Sequence, residues 1–546
     1  FTNTIMKGGF PMPKKLETSF GRYFKLPNPG LRAYFSHVVE GQADEFRTPF
    51  YKGRSLASLL IDWDQTLQSI SGKYPELYAF EKDLGKKVGP MSIMLPLKDR
   101  MKDIDSYYDL ISLKSKPISE EAIRSATKEW ADVAGIRMRG IRKTVDTMKK
   151  STNSGSPFFT KRRRVVDDTV PCTVYHDGNT VIQDLPRGLY DGAAVLGWRG
   201  QEGGPDKGDV KQRVVWMFPF AVNIRELQVY QPLIAAMQKG LIPHVPAWVS
   251  MEAVDRAITR MFDTKGTNDL VICTDFSKFD QHFNEDLQNC ASQCLSSLFT
   301  HDADFEQWTR DIFPIKYMIP LAYDWGKIRY GKHGMGSGSG GTNADETLVH
   351  RCLQYEAAIS SGQVLNPNSQ CLGDDGVLTY PGITVKDVMS AYTSHGLEMN
   401  ESKQYASTHD CVYLRRWHDI NYRVDGVCVG VYSTNRALGR LCEQERYYDP
   451  EVWGPKMVAL RQLSILENCK YHPLKEEFVN WCMKGDKYRL GLDIPGFFDN
   501  LERYAREATD YMPDFLGYTK SLQGDGNPSS GGISNWWVVR YLKSKA

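Results

Sequence analysis

The sequence predicts an α+β fold, and three observations support this. Its 546 residues are 41% hydrophobic, which is enough for a large core shared by several domains or subdomains. Before about residue 450, short apolar runs typical of strands are mixed with helical patterns, and after it the patterns are mainly helical. The chain also shows no internal repeat.

Several classes of protein are not expected from the composition. The longest apolar run, residues 214–222, has nine residues and includes Pro219, so we expect no membrane partner. The first ten residues, FTNTIMKGGF, lack the pattern of a secretory signal. The eleven cysteines are an odd number and show no CxxC or Cys/His zinc spacing. We therefore expect reduced thiols, in a cell or inside a particle.

Basic residues are concentrated in one segment, although the net charge is only +2. Residues 136–164 contain one acid, Asp146, and ten basic side chains: Arg137, Arg139, Arg142, Lys143, Lys149, Lys150, Lys161, Arg162, Arg163 and Arg164. Such a block predicts a surface that neutralises phosphates. The alternatives are a solvated basic face or, for KRRR, a nuclear import signal.

Two segments of the mixed region carry candidate metal ligands. In LVICTDFSKFDQ, the apolar run 270–273 predicts a buried strand that ends at Asp275, with Asp280 five residues later. In QCLGDDGVLTY, two apolar runs flank Asp374 and Asp375, which predicts a hairpin with paired acids at its turn. Two metal ions about 4 Å apart need carboxylates from separate strands. An ordinary loop acid, a helix cap and turn chemistry are the alternatives.

A glycine-rich segment, GMGSGSGGTNADETLVHRC, lies between these two. Its glycines would let backbone amides and Ser337 approach a ligand closely. A helix is predicted to follow, with Thr342 and Asp345 as a capping pair. The glycines also match GxGxxG, but no clean strand precedes them and no βαβ unit surrounds them, which argues against a dinucleotide site.

The C-terminal region is predicted to be helical over residues 455–470, 473–484 and 497–508, with Pro473 at a first helical position. Residues 524–532, GDGNPSSGG, are typical of a flexible linker. The tail beyond it is aromatic and basic. Trp536 and Trp537 could stack on a base, but we expect them to pack against the body.

In order and spacing, these segments resemble the palm motifs of viral RNA-dependent RNA polymerases, and DFSKFDQ, GSGSGGTNADET and LGDDG are similar to picobirnavirus sequences. TNSGSP at residues 152–157 resembles the motif that guides the template, and KGDVKQRVVW resembles the basic motif that grips the incoming triphosphate. HGLEMNESK contains Lys403 at the family's general-acid position, and YLRRW resembles the primer-grip hairpin. These motifs follow the family's order from residue 152 to 417.

The resemblance implies a closed right hand whose palm is an antiparallel sheet with flanking helices. The implied divisions are an N-terminal extension bridging fingers and thumb (1–70), fingers (71–265), first catalytic strand of the palm (266–283), fingers return (284–330), palm (331–430), thumb (431–523), and linker with C-terminal tail (524–546).

The implied activity is RNA-directed RNA synthesis that replicates and transcribes a viral, double-stranded RNA genome by two-metal nucleotidyl transfer. The cofactor would be two Mg²⁺ ions, for which Mn²⁺ can substitute, held by Asp275 and Asp374 with Asp375 as a weaker ligand. The partners would be template and product RNA, ribonucleoside triphosphates and, as a further candidate, capsid protein. The place of action would be the viral particle, the host cytoplasm or both.

Other residue roles also follow from the resemblance. Lys207, Lys211 and Arg213 would bind the triphosphate, and Lys403 would protonate the leaving pyrophosphate. The sugar would be sensed by Asp280 and Ser337, whose usual partner, an Asn nine positions after the serine, is replaced here by Glu346. Asn343, Asp345 and Thr342 are alternative partners, and Gly338 completes the nucleotide site. The RNA contacts would be Thr152, Ser154, Gly155, Pro157, Arg415 and Arg416.

Three other functions are weighed against this one. A reverse transcriptase commonly has an aromatic residue two positions before the paired acids, whereas Leu372 and Gly373 precede them here. A two-metal nuclease would have no use for a triphosphate-gripping motif. A non-catalytic RNA-binding relative predicts that Asp374→Ala leaves function intact.

Overall fold

The structure is a computed structural model that describes residues 29–201, 203–449, 451, 453–511 and 532–546. The first described elements are helices: α1 Pro29–Glu40, α2 Leu56–Leu67, α3 Pro75–Gly85, α4 Leu97–Asp109, α5 Glu120–Glu129, α6 Ile141–Thr147 and α7 Val166–Thr169. Serine side chains cap two of them, since Ser55 accepts a backbone N–H of α2 and Ser119 one of α5.

Strands and helices alternate irregularly in the next part of the chain. They are β1 Thr173–Asp177, β2 Thr180–Leu185, β3 Gly188–Gly192, β4 Ala194–Gln201, β5 Lys211–Met217, α8 Phe220–Gln238, α9 Pro246–Val249, α10 Met251–Thr264, β6 Val271–Thr274, α11 Glu285–Leu298, α12 Ala303–Asp311, β7 Leu321–Asp324 and β8 Lys327–Arg329. The first three strands form an antiparallel sheet. A second sheet has the order β5-β4-β7-β8, with β4 and β7 parallel, so it joins segments far apart in the chain.

The central sheet is completed by the next segment, which contains α13 Thr342–Ser360, β9 Gln370–Leu372, β10 Asp375–Leu378, α14 Val385–Thr393, β11 Tyr405–Ser407, β12 Asp410–Tyr413, β13 Arg416–Asp419 and β14 Val431–Tyr432. Its strand order is β11-β6-β10-β9, antiparallel throughout. Ile272 faces the core formed with α11 and α13, whereas Val271 and Cys273 face a core formed with α10 and β12. Both faces of β6 are therefore covered, which explains its unbroken apolar run.

The last region is helical, as the sequence predicts: α15 Thr434–Cys442, α16 Pro455–Glu467, α17 Lys475–Gly485, α18 Leu501–Tyr511 and α19 Trp537–Ser544. Two predicted starts are wrong. Pro473 precedes the N-cap Leu474 of α17 instead of opening the helix, and residues 498–500 form a tighter 3₁₀ turn before α18. Trp537 begins α19, which buries Val538, Val539 and Leu542 in the same core as α16, so the tail packs against the body.

A second core joins the N-terminal helices to this helical region. It contains residues of α2 and α3 together with α15 to α19. The buried carboxylate of Glu81 in α3 accepts hydrogen bonds from the start of α15 and lies 2.9 Å from His472 Nε2. This packing extends past the boundary predicted at residue 70. Residues 1–28 lie outside the described residues, and so do residues 524–531, which are most of the predicted linker.

Among the described residues, no helix is both long enough and apolar enough to cross a bilayer. All eleven cysteines are buried and unbridged.

Candidate active site

Three acids meet at one end of the central sheet. Gly376 of β10 pairs with Thr274 of β6, so the next residues in register, Asp375 and Asp275, lie side by side at the strand ends. The hairpin turn between β9 and β10 has Gly373 at φ +57°, a left-handed conformation that favours glycine, and it presents Asp374. The structure therefore brings the three predicted acids together, on the predicted strand and hairpin.

Helix α13 forms hydrogen bonds with this turn through two residues that were not predicted from the sequence. The Gly373 N–H donates to Thr347 Oγ1 at 2.9 Å, and the Gly373 carbonyl lies 2.8 Å from His350 Nδ1. Burial lowers the pKa of His350 to about 4, so the ring is neutral and its Nδ1–H donates. A Cβ on Gly376 would lie 2.6 Å from the same ring. The sequence signal that could have indicated Thr347 and His350 is their spacing, because two polar residues three positions apart lie on the same face of the predicted helix.

Gln404 fixes the main chain of Asp275. Its Oε1 accepts the Asp275 N–H at 2.8 Å, and its Nε2 donates to the Asp275 carbonyl at 2.9 Å. Desolvation by the surrounding protein raises the pKa of Asp275, while Lys403, Lys87 and Lys211 oppose the shift. Lys403 therefore lies close enough to Asp275 for electrostatic interaction. Gln404 was also missed, although it directly follows the predicted Lys403.

The paired acids are not equivalent. Asp375 Oδ2 accepts the Leu414 N–H at 2.9 Å, whereas the Asp374 side chain is exposed at the turn. Burial and the charge of Asp374 raise the pKa of Asp375 to about 7. Desolvation and Asp280 raise the pKa of Asp374, with Arg213 opposing. The pKa values of all three acids are raised despite these nearby cations. Oxygen donors are the ligands that Mg²⁺ prefers, so the donor set fits divalent metal ions.

Asp280 and Glu346 form a carboxyl pair next to these acids. The Glu346 side chain is buried in the first turns of α13, and burial together with the neighbouring Asp280 raises the pKa of Glu346 well above its usual value. Glu346 Oε2 is buried without a hydrogen-bond partner in the described chain. Asn343 Oδ1 instead accepts Trp248 Nε1–H at 2.8 Å. Ser337 Oγ accepts the Trp216 N–H at 3.3 Å.

The predicted capping pair of Thr342 and Asp345 is wrong. The N-cap of α13 is Gly341, without a side-chain cap, and the Thr342 hydroxyl donates to the Gly336 carbonyl at 3.2 Å. The Asp345 carboxylate points into the core, 3.0 Å from Lys316 Nζ. This buried ion pair removes Asp345 from the sugar-sensing alternatives.

The predicted triphosphate-binding cations lie on or before β5. The side chains of Lys211 and Arg213 are exposed, and both interact electrostatically with the carboxylate cluster, Lys211 with Asp275 and Arg213 with Asp374. Lys207 precedes β5, and its Nζ lies 4.0 Å from the Glu45 carboxylate. Gly338 packs so closely on β5 that a Cβ would lie 1.6 Å from the Trp216 carbonyl.

The predicted RNA contacts divide into exposed and structural residues. Ser154 is 2% exposed and accepts the Thr160 N–H, and a Cβ on Gly155 would lie 2.7 Å from the Phe218 carbonyl, so these residues shape a tight loop that also contains buried Pro157 and partly buried Thr152. Arg415 is exposed at the β12–β13 turn. Arg416 instead forms hydrogen bonds of 2.8 and 2.9 Å with Asp255.

The basic segment 136–164 is likewise mixed. Arg162 donates to Asn223 at 2.6 Å, and burial lowers its pKa to about 10, so it has a structural role. Arg139 bonds to Gln231. The exposed members, which can meet phosphates, are Arg137, Arg142, Lys143, Lys161, Arg163 and Arg164.

Comparison with known proteins gives consistent matches. Residues 196–424 match the family model described as viral RNA-dependent RNA polymerase. A protein from human picobirnavirus (strain Human/Thailand/Hy005102/-), described as a potential RNA-dependent RNA polymerase, is 65% identical over 530 residues, which are 96% of this chain and 98% of that protein. The crystal structure of the RNA-dependent RNA polymerase of a human picobirnavirus has a TM-score of 0.92 and 64% identity, covering 97% of this chain and 99% of that one. A sicinivirus 3Dpol polymerase, at 14% identity, 70% coverage of this chain and 85% of its own, shares the fold with a TM-score of 0.51.

Proposed function

The chain belongs to the viral RNA-dependent RNA polymerases, as an enzyme of the picobirnavirus type, and we propose that it replicates and transcribes a double-stranded RNA genome by two-metal nucleotidyl transfer. The observation that carries the mechanism is the meeting of Asp275 and Asp374 at the ends of two paired strands. Asp275, Asp374 and, more weakly, Asp375 would hold two Mg²⁺ ions. When bound, these ions would lower the pKa of the attacking 3′-hydroxyl and neutralise the leaving phosphates.

Other residues of the chain would bind the triphosphate, the ribose and the RNA. Arg213 and Lys211 would orient the triphosphate, with Lys207 at its outer end. Lys403 would give its proton to the leaving pyrophosphate. Asp280 and Glu346 would bind the ribose. The buried loop at residues 152–157, Arg415 and the exposed basic side chains would guide RNA, with Arg416 bracing the hairpin through Asp255.

The fold suits a right hand closed by its N-terminal helices. The central sheet would be the palm, the sheet β5-β4-β7-β8 and its neighbours the fingers, and α15 to α18 the thumb. The N-terminal extension predicted as residues 1–70 would then also include α3, which packs with the helices of the thumb. The enzyme would act inside the viral particle, in the host cytoplasm or in both. Capsid protein is a candidate partner, because a genome copied inside the particle is enclosed by it.

Template choice and metal dependence test this proposal together. Purified protein incubated with ribonucleoside triphosphates and Mg²⁺ or Mn²⁺ should convert single-stranded RNA into duplex, and should release new single strands from a duplex template. EDTA should stop both reactions, and added Mg²⁺ should restore them. Activity on single strands alone would contradict the double-stranded genome, while product formed in EDTA would contradict the metal mechanism.

Glu346→Ala should weaken discrimination against 2′-deoxynucleotides by about tenfold, because the ribose site would lose the carboxyl group that neighbours Asp280. The measurement is the ratio of kcat/KM for ATP and dATP. Glu346→Gln, which keeps the shape and a hydrogen-bond donor, is the matched control and should stay within a few-fold of wild type. An unchanged ratio in Glu346→Ala would assign the sugar contact to Ser337 or Asn343.

Thr347→Val should lower kcat about fivefold, since the Gly373 N–H would lose its acceptor and Asp374 its fixed position, at a cost of about 1 kcal/mol. The Mg²⁺ concentration for half-maximal rate should rise as well. Thr379→Val is the control, because the Thr379 hydroxyl donates to the Leu270 carbonyl at 2.7 Å at the other end of the same sheet. Equal kinetic effects of the two variants would reduce Thr347 to a general stabilising role.

A further inference from the structure

An imidazole and two carboxylates meet outside the catalytic cleft, where α3 reaches the base of the β12–β13 hairpin. Glu76 lies in the first turn of α3, His409 directly precedes β12, and Asp419 ends β13. One ligand atom from each lies within 4.8 Å of the other two, and His409 Nε2 is 2.7 Å from Glu76 Oε1. Two segments far apart in sequence, α3 and the β12–β13 hairpin, thus direct a nitrogen and two oxygens at one point.

The imidazole is oriented as a metal ligand usually is. His409 Nδ1 lies 3.3 Å from Ser407 Oγ, so the other ring nitrogen, Nε2, faces the carboxylates. A hydrogen bond to the second nitrogen fixes the tautomer and the ring plane of metal-binding histidines. The Ile420 N–H also donates to the His409 carbonyl at 2.8 Å, which fixes the main chain.

The negative charge of this cluster exceeds its positive charge. Asp419 is 7% exposed, and Oδ1 accepts the Asn421 N–H at 2.7 Å, while Oδ2 takes part in no described hydrogen bond. Buried Asp410 lies beside it, 4.0 Å from His409 Nε2, with its oxygens bonded to Tyr405 and Trp417. Within the described chain, His409 is the only basic side chain at ion-pair distance from Glu76 or Asp410. Three carboxylates therefore surround one imidazole.

We propose that Glu76, His409 and Asp419 bind a divalent transition-metal ion, Zn²⁺ or Mn²⁺, whose coordination is completed by water. A mixed imidazole and carboxylate donor set suits these ions better than Mg²⁺, which prefers oxygen ligands. Glu76 and His409 are partly exposed, so the ion and its waters have access. The proposal goes beyond the polymerase mechanism, because the site lies at the opposite end of the hairpin from the turn that contacts Asp375.

The role of the ion would be to tie the N-terminal helices to the palm. Glu76 belongs to α3, which packs in the second core, whereas His409 and Asp419 lie at the base of the β12–β13 hairpin, whose turn contacts Asp375. A bound ion replaces the single hydrogen bond between Glu76 and His409 by coordination to side chains of both segments. Metal binding to the folded state alone stabilises that state.

The test counts ions in protein whose catalytic site is silenced by Asp275→Asn and Asp374→Asn. After equilibration with Zn²⁺ or, separately, Mn²⁺ and removal of free ion, this parent should retain one more ion per chain than the same protein carrying His409→Gln. Zn²⁺ should raise the melting temperature of the parent and not of the His409→Gln protein. Equal retention and equal melting shifts would overturn the proposal.

His301→Gln is the matched control, because His301 is an exposed histidine paired with a single acid, Glu306, at 3.7 Å. It should leave the number of bound ions unchanged. Asp419→Asn is the second test, and it should remove the same ion as His409→Gln while retaining an amide that can accept the Asn421 N–H. With otherwise wild-type sequence, His409→Gln should keep RNA synthesis in Mg²⁺ alone, which shows that the variant folds. Retention of the extra ion by a folded Asp419→Asn protein would also contradict the site.

Discussion

Asp374→Ala is expected to lower ribonucleotide incorporation by at least about 1,000-fold while RNA binding largely survives. A metal ion contributes several kcal/mol of transition-state stabilisation, and each 1.36 kcal/mol is a factor of ten in rate. The Asp374 side chain is exposed at the hairpin turn, whereas Asp375 is only partly exposed, so Asp374 is the better placed of the two paired acids to hold the ions. RNA would be held by basic side chains outside this turn.

The measurements are primer-extension rate and RNA affinity at matched salt concentration. Asp375→Asn is the informative comparison, because Asp375 already accepts a backbone hydrogen bond from Leu414. Asp375→Asn should lose less activity than Asp374→Ala, since Asp375 would be the weaker metal ligand. Equal product from wild type and Asp374→Ala would indicate a contaminating activity, and equal losses in Asp374→Ala and Asp375→Asn would contradict the ranking of the two acids.

The sequence predicted the catalytic strand, the hairpin and the acids because each has a local signature. Asp275 follows an apolar run, and Asp374 follows a glycine in a turn. Thr347, His350 and Gln404 carry no such signature, because they act through main-chain contacts made only when α13 packs against the β9–β10 hairpin and β11 pairs with β6. Their functions depend on tertiary geometry.

Failures of prediction have the same origin. The sequence pattern of Thr342 and Asp345 fits a capping pair, but a buried lysine twenty-nine positions earlier attracts Asp345 into the core. The bidentate pair of Arg416, a predicted RNA contact, with Asp255 of a distant helix was likewise not visible in the sequence. In contrast, the substitution at Glu346 was visible as a departure from the family pattern, and the structure places it beside Asp280.

The ion pair of Lys316 and Asp345 should be the most costly to break outside the metal site. Both side chains are 0% exposed, with 3.0 Å between Lys316 Nζ and Asp345 Oδ2, and the hydroxyls of Tyr230 and Tyr317 also donate to this carboxylate at 2.7 Å. Lys316 Nζ lies 3.6 Å from the centre of the Phe313 ring. Lys316→Met would leave a buried carboxylate without its cation, and removing one partner of a buried pair costs about 3–5 kcal/mol.

The expected result for Lys316→Met is thus a loss of about 3–5 kcal/mol in the free energy of unfolding, measured by urea denaturation. Lys327→Met is the control, since Lys327 and Asp324 form a more exposed pair at 3.5 Å that should contribute less than about 1 kcal/mol. Adding Asp345→Asn to Lys316→Met removes the unpaired buried charge and should recover part of the loss.

Because Asp345 directly precedes Glu346 on α13, Lys316→Met should also weaken sugar discrimination in the protein that remains folded, whereas Lys327→Met should not. A stability loss without any change in the ATP to dATP ratio would separate the buried pair from the geometry of the ribose site.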